Sequence, residues 1–214
     1  MCSVTKASPI VSEVGHLYPF SMSDQSTTGF NLFWITLRMF WTEERVNQWW
    51  AALFNDDLGT EKLENLITLT PTAHKMHTLG FFALEPIKLD PDRKRLTLCF
   101  WWLRQGCSDE EVSPIDIPHL AATYNPQDDA IGLMNMQSYR PLHSGDAIVL
   151  TTPDPDTHPL PEIRILEMQW IMNRVTAMRG AAEPKDPFKD DSGDESNSEG
   201  GKSYHDISIF PPAL

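Results

Sequence analysis

Four residues with side chains suited to hydrolytic chemistry lie in two short segments of the 214-residue chain. The first segment, "EVGHLYPFS", covers residues 13–21, and the second, "ENLITLTPTAHKMHTLGFF", covers residues 64–82. The four residues are His16, Asn65, His74 and His77. An imidazole titrates near neutral pH and binds divalent metals, so such residues can form part of a metal-dependent hydrolytic site. Each also has an ordinary interpretation as a residue that forms a structural hydrogen bond in a turn.

Local sequence patterns indicate which elements carry these residues. Residues 1–21 have the composition of short strands and turns. Residues 63–70 are rich in β-branched and apolar side chains, which favours a strand or an extended arm. A proline then opens a short predicted helix of residues 71–79. Positions three apart share a helix face, so His77 is expected beside His74.

The other segments predict an α+β domain around these elements. Apolar residues recur every three or four positions across residues 29–55, and Thr42 reads as a second N-cap, which predicts two amphipathic helices. Their aromatic stripe is more typical of a core-facing surface than of a platform that stacks nucleobases. Residues 95–103 and the segment "AIVLTT" predict strands, and residues 161–182 predict a C-terminal helix.

Charge bears on the partners of the chain. The formal net charge is −13, and residues 183–206 hold eight acids and three bases, a net of −5, which leaves −8 for the rest. Phosphate groups repel an acidic protein, which opposes non-specific binding of nucleic acid. The one compact basic cluster, "DPDRKR" at residues 90–95, is more typical of a solvated hairpin turn than of a phosphate contact.

The composition also predicts the domain boundary. Residues 185–202 are acidic and rich in Ser and Gly, with too few apolar side chains to offset the entropy of ordering, so we expect disorder there. Residues 204–214 are apolar enough to dock on the body or on a protein partner. We therefore predict a domain of residues 1–182 followed by an acidic tail of residues 183–214.

Cysteine content and hydropathy bear on location. Three cysteines without a CxxC pair predict neither a disulfide framework nor a cysteine-type zinc site, and they favour a reducing compartment. The sequence shows no signal-peptide pattern and no apolar stretch of membrane-spanning length. We expect an intracellular protein, cytoplasmic or nuclear, without a membrane partner.

The order of His16, Asn65 and then His74, nine positions after the asparagine, resembles the HNH endonuclease family. The segment "CSVTK" is similar to the family's Cys-x-x-Thr-Gly opening, and "GHLYPFS" is similar to its first-histidine turn. The segment "NLITLTPTAHKMHTLGFFAL" is similar to the asparagine strand, the helix and the following strand of the family.

Two later segments, "DAIVLTTPDPDTHPLP" and "EIRILEMQWIMNRVTAMRGAAE", resemble a C-terminal extension of fungal members. The likeness covers most of residues 2–183. Within it we expect a core at residues 2–103, with inserted amphipathic helices and additional strands, and an extension at residues 104–182 that ends in a helix.

The resemblance implies a ββα-metal fold that binds one divalent ion, Mg²⁺, Mn²⁺ or Zn²⁺, and hydrolyses phosphodiester bonds in DNA or RNA. It implies that His16 is the general base and that His74 holds the metal, which acts as a Lewis acid on the phosphate. Asn65 then orients the base or braces its loop by side-chain-to-backbone hydrogen bonds. We expect the three side chains to face a common cleft, where His77 or a carboxylate completes the ion site.

Two positions depart from the family's pattern. Gly15 stands where many members carry a metal-binding Asp or His, and Thr78 stands where many carry a ligand one helical turn after the helix histidine. His77 is the candidate replacement ligand. Glu13 is expected on the opposite strand face from His16. Two alternatives stay open: a catalytically degenerate scaffold that binds protein partners through its acidic tail, and a nucleic-acid mimic that occupies basic partners.

Overall fold

The computed structural model describes residues 1–56, 58–103, 126 and 130–178. All of them belong to one compact unit, Met1–Pro184. The expected acidic tail lies outside the described residues. In the part of the chain that is described, no helix is both long enough and apolar enough to cross a membrane.

A strand pair and a short helix form the smallest unit of the fold. Strand β1 (Glu13–His16) pairs antiparallel with β2 (Leu66–Leu69), and His16 stands opposite Leu66 in the register. Helix α3 (Pro71–Thr78) follows β2 directly, and its N-cap Thr70 accepts a hydrogen bond from the N–H of Ala73. This ββα unit agrees with the expected core.

Two helices are inserted between β1 and β2. They are α1 (Thr28–Phe40) and α2 (Glu43–Phe54), and the break between them falls at the predicted place. The Thr42 hydroxyl accepts a hydrogen bond from the N–H of Arg45, so it caps α2. The apolar stripes face each other, with the Trp34 and Trp50 rings 5.0 Å apart in an edge-to-face pair. The aromatic residues therefore build the core, as expected.

A second sheet lies after the ββα unit. Strand β3 (Phe82–Leu89) pairs antiparallel with β4 (Arg95–Trp102). The short strands β5 (Met134–Asn135) and β6 (Arg140–Pro141) pair with each other. Strand β7 (Ala147–Thr151) then pairs with β4, giving the order β3-β4-β7. Strands β4 and β7 alternate buried residues with partly or fully exposed ones, so one face of these strands lies on the core.

The C-terminal helix α4 (Ile163–Met178) packs against β3 and α2. The Asn173 side chain is buried and donates a hydrogen bond of 3.0 Å to the Phe82 carbonyl. Just before α4, the Glu162 N–H donates to the Glu64 carbonyl, one residue before the candidate asparagine. One hydrophobic cluster includes side chains from β2, from the β3-β4-β7 sheet and from helices α1 to α4, so the described residues form an α+β fold around one main core.

The N-terminal turn joins the β1-β2 pair to the β3-β4-β7 sheet. The Ser3 N–H donates to the Thr68 carbonyl in β2. Lys6 has a φ of +57°, in the position of the glycine in the family's opening segment. Its amine donates to the carbonyls of Ser3 and Val149, at 2.8 and 3.0 Å. These contacts offset the strain of a left-handed lysine, which explains how this chain dispenses with glycine there.

Candidate active site

Asn65 fixes the backbone that follows the first candidate histidine. Its side chain is 0% exposed, and its Oδ1 accepts a 2.8 Å hydrogen bond from the Tyr18 N–H. Its Nδ2 donates to the carbonyls of Tyr18 and Thr60, at 3.1 and 2.9 Å. The Leu17 N–H donates to the Asn65 carbonyl. One buried amide therefore holds the turn after His16 to the segment before β2, by three side-chain hydrogen bonds with backbone groups.

His16 is the last residue of β1, and its side chain is 27% exposed. Its Nε2 lies 3.0 Å from Glu61 Oε1, and its ring lies beside Phe20 with 5.9 Å between centroids. A neutral imidazole paired in this way donates Nε2–H to the carboxylate, which leaves the lone pair on Nδ1. Nδ1 has no protein partner among the described residues. The arrangement leaves a proton acceptor, Nδ1, on a partly exposed ring.

His74 lies in the first turn of α3, and its side chain is 32% exposed. Its Nδ1 lies 2.7 Å from Glu13 Oε1. In the neutral ring Nδ1–H donates to Glu13, so the lone pair stays on Nε2. A carboxylate behind an imidazole is the arrangement that commonly orients a metal-binding histidine.

The two histidines are held at consecutive positions of β1, because His16 is its last residue and the His74 ring lies against Gly15. A Cβ placed on Gly15 would lie 2.8 Å from Nε2 of His74, so the His74 ring occupies the space beside that glycine. Successive strand residues project to opposite faces, and the next residue, His16, is directed to Glu61. Glu13 lies two residues before Gly15 and so shares its face and the His74 side. The expectation that Glu13 lies on the opposite face from His16 agrees with these contacts.

The structure does not place Asn65 in a cleft with the two histidines. Asn65 is fully buried and has no surface to offer a substrate. Its hydrogen-bonding groups bind the backbone, so it is a positioning residue for the turn after His16. Of these three candidate residues, His16 and His74 are open to solvent. Each of the two is held by its own glutamate.

The structure does not support His77 as a metal ligand, and we correct that expectation. His77 is 3% exposed, and its ring packs against Phe82 with 5.3 Å between centroids. Its Nε2 is buried without a hydrogen-bond partner in the described residues. Burial, together with the nearby charge of His74, lowers its pKa to about 4. Positions three apart lie about 60° from each other around the helix axis, so the boundary between rim and core passes between His74 and His77.

Thr78, one turn after His74, is not a replacement ligand either, because its hydroxyl donates to the His74 carbonyl at 3.0 Å. Among the described residues no three His, Cys, Asp or Glu side chains are grouped so that they could hold a metal ion. The described part of the chain therefore shows a supported imidazole at position 74 without a complete set of protein ligands.

Sequence reasoning missed the two glutamates that hold the histidines. Glu61 is 45 residues from His16 and lies in a short 3₁₀ helix, Gly59–Glu61, so no spacing rule connects them. Glu13 had a usable signal. It shares a strand face with Gly15, the position at which many members of the family carry a metal ligand.

The basic cluster near residue 93 forms the turn between β3 and β4. Arg93 Nη2 lies 2.6 Å from Asp156 Oδ1, and Lys88 Nζ lies 3.0 Å from Asp90 Oδ1. Both cations are exposed and paired with acids. This supports the interpretation of the cluster as a solvated hairpin turn rather than as a phosphate contact.

Comparison with known families gives one match. The sequence model of a family described as HNH endonuclease matches residues 2–85, a segment that contains the whole ββα unit and the candidate residues. No curated protein and no solved structure matches the chain.

Proposed function

We propose that this chain, whose residues 2–85 belong to the HNH endonuclease family, is a metal-dependent nuclease that hydrolyses phosphodiester bonds in DNA or RNA. The observation that carries the proposal is the pair of glutamate-supported imidazoles, His16 and His74, both held at β1 in a ββα unit. The hydrolase activity, the metal dependence and the roles of these residues are parts of the proposal.

In the proposed reaction His16 is the general base. Its Nδ1 takes a proton from a water molecule as the water oxygen attacks phosphorus, and the bond from phosphorus to the leaving oxygen breaks. Glu61, at Nε2, holds the ring in the required tautomer and stabilises the imidazolium that forms. Asn65 holds the backbone turn that follows His16, which keeps the base in position.

The residues present fit a divalent ion through one side chain, His74. Its Nε2 is directed by Glu13 and would be the ligand atom. When bound, a divalent ion supplies Lewis-acid stabilisation of charge on the phosphate. The donor set differs from a closed structural zinc site, which uses four protein ligands. Mg²⁺, Mn²⁺ and Zn²⁺ all remain candidates for the ion.

A second function is favoured by a specific observation. Gly15 and Thr78 supply no ligands, and the described residues contain no group of three that could hold a metal ion. A catalytically degenerate HNH-like scaffold would retain the fold without the reaction. Such a scaffold would bind a protein partner, and the acidic tail of residues 183–214 is the proposed contact.

A plasmid-nicking assay tests the proposed function. The full chain is incubated with supercoiled plasmid and Mg²⁺ or Mn²⁺, in parallel with His16→Ala and with EDTA. We expect nicking by the wild type, loss of about 10²-fold or more in rate for His16→Ala, and none with EDTA. The exposed His143, which lies before β7, provides the control variant His143→Ala, with unchanged rate expected.

The outcomes separate the two functions. Equal rates for wild type and His16→Ala would remove His16 from the role of base. Absence of nicking in every protein, with a single-stranded RNA substrate as well as with plasmid, would favour the scaffold.

A further inference from the structure

The contact between Glu13 and His74 is the shorter of the two glutamate–histidine contacts at the site. Its Oε1 lies 2.7 Å from Nδ1 of His74, against 3.0 Å between Glu61 and His16. Both partners are partly exposed, at 48% and 32%. Their exposure implies that the contact adds little to folding stability. Its consequence is for the ring itself, since it decides which nitrogen carries the proton.

The contact selects one tautomer. A carboxylate accepts hydrogen bonds but donates none when ionised, so the neutral ring must carry its proton on Nδ1. A histidine in water without a partner prefers the proton on Nε2. Glu13 therefore holds His74 in the less common tautomer, with the lone pair on the nitrogen that a cation would use.

Gly15 fixes the other side of the ring. A Cβ at this position would lie 2.8 Å from Nε2, 3.0 Å from Cδ2 and 3.2 Å from Cε1 of His74. A side chain here would require the His74 ring to move from its present position. Position 15, where the family usually has a ligand, therefore has no side chain here, and this leaves room for the His74 ring.

We infer that Glu13 is the positioning residue for His74, and that it holds the Nδ1–H tautomer so that Nε2 can bind a divalent cation beside Gly15. The inference rests on the proposed function for its biological meaning, but the tautomer and the cation contact do not depend on catalysis. In this chain position 15 supplies no ligand, and a carboxylate at position 13 lies behind the His74 ring.

The test is a long-range ¹H–¹⁵N correlation spectrum of the ¹⁵N-labelled full chain at pH 8, with and without Zn²⁺ as the probe. In the wild type we expect His74 as the Nδ1–H tautomer and a Zn²⁺-dependent shift of its Nε2. In Glu13→Ala we expect the Nε2–H tautomer to appear and the apparent Zn²⁺ affinity at His74 to fall by about 10- to 100-fold. Glu13→Gln keeps an acceptor oxygen, so it should largely keep the tautomer.

Glu43→Ala is the matched control, because it removes an exposed glutamate with the same charge change from helix α2. It should leave the His74 tautomer and Zn²⁺ affinity unchanged. Gly15→Ala should disturb His74 as Glu13→Ala does. A native-like backbone amide spectrum outside the site establishes that each variant is folded, which is expected because Glu13 is exposed.

An unchanged tautomer and unchanged Zn²⁺ affinity in Glu13→Ala would overturn the inference, as would the absence of any Zn²⁺-dependent shift at His74 in the wild type. The nicking assay reads the proposed function separately. A wild type that shows the expected tautomer and Zn²⁺ shift but no nicking contradicts the nuclease alone. A wild type that nicks plasmid, together with an unchanged His74 spectrum in Glu13→Ala, contradicts the inference alone.

Discussion

Two histidines three positions apart on α3 have opposite environments, and the helix rotation between them is the cause. His74 stands at the rim with Glu13, and His77 lies in the core against Phe82. An imidazole in the core favours its neutral form, because burial penalises the charge. The same residue type is therefore a candidate ligand at one position and a pH-sensitive core residue at the other.

The burial of His77 predicts acid sensitivity of the fold. The pKa of His77 is lowered to about 4 in the folded protein, while an unfolded histidine titrates near its ordinary value. As the pH falls from about 6.5 to about 4, His77 becomes protonated in the unfolded chain but stays neutral in the folded chain. The free energy of unfolding should therefore fall over this window, by about 3 kcal/mol from this residue, and no further below it.

Urea unfolding of metal-free protein at pH 7 and pH 4 measures this effect. His77→Leu, an apolar side chain of similar size without an unpaired nitrogen, should lose less stability on acidification than the wild type. The exposed His143→Gln should behave as the wild type. An equal loss in wild type and His77→Leu would show that His77 is not the group responsible.

Helix α4 completes the second sheet, although it lies far beyond the ββα unit in sequence. Strand β3 is an edge strand in the order β3-β4-β7, so its outer backbone groups need partners. Asn173 supplies one of them at the Phe82 carbonyl, and Gln169 donates a 2.7 Å hydrogen bond to Asn173 Oδ1. Gly80, with a φ of +71°, ends α3 where the Asn173 carbonyl would lie 3.0 Å from an added Cβ.

Asn173→Ala should destabilise the fold more than Gln169→Ala. The first change leaves the buried Phe82 carbonyl without its side-chain donor and opens a space under α4, at a cost of about 1–3 kcal/mol. The second change removes only a hydrogen bond to Asn173, worth about 1 kcal/mol. Urea midpoints of the two variants decide the order, and a larger loss in Gln169→Ala would contradict the role of Asn173 as a link between α4 and β3.

At the scale of the whole molecule, the family match and the folding unit differ in extent. The match ends at residue 85, inside β3, while the main core continues through β4, β7 and α4. The core side chains contributed by α4 include Ile165, Leu166 and Met168, each at most 1% exposed. The segment matched by the family model therefore contains the candidate site. The later elements bury the apolar surface against which that segment packs.

A chain that ends at residue 103 should fail to fold cooperatively. It retains the whole family match but lacks β7 and α4, which leaves β4 with one neighbour and exposes apolar surface of the core. A chain that ends at residue 184, the end of the compact unit, is the control and should keep a cooperative thermal transition. Near-ultraviolet circular dichroism during heating distinguishes them, and a cooperative transition in the shorter chain would contradict this assignment.

Much of the fold could be predicted because its signals are local. The break at Thr42, the helix opened by Pro71 and the strand at residues 95–102 all follow from capping, proline and β-propensity rules. The resemblance carried by His16, Asn65 and His74 placed the ββα unit. The extent of β3, which runs to residue 89, was not predicted, because its outer half depends on pairing with β4.

By itself the sequence determined the resemblance of residues 2–85 to the HNH endonuclease family, the α+β class and the candidate histidines, because these depend on residue types and short spacings. Only the tertiary structure decided that Asn65 braces a backbone turn, that His77 belongs to the core and that Glu13 and Glu61 hold the two imidazoles. The physical reason is distance along the chain: the partners of the two rings are 45 and 61 residues away, and only the folded backbone sets contacts of that range.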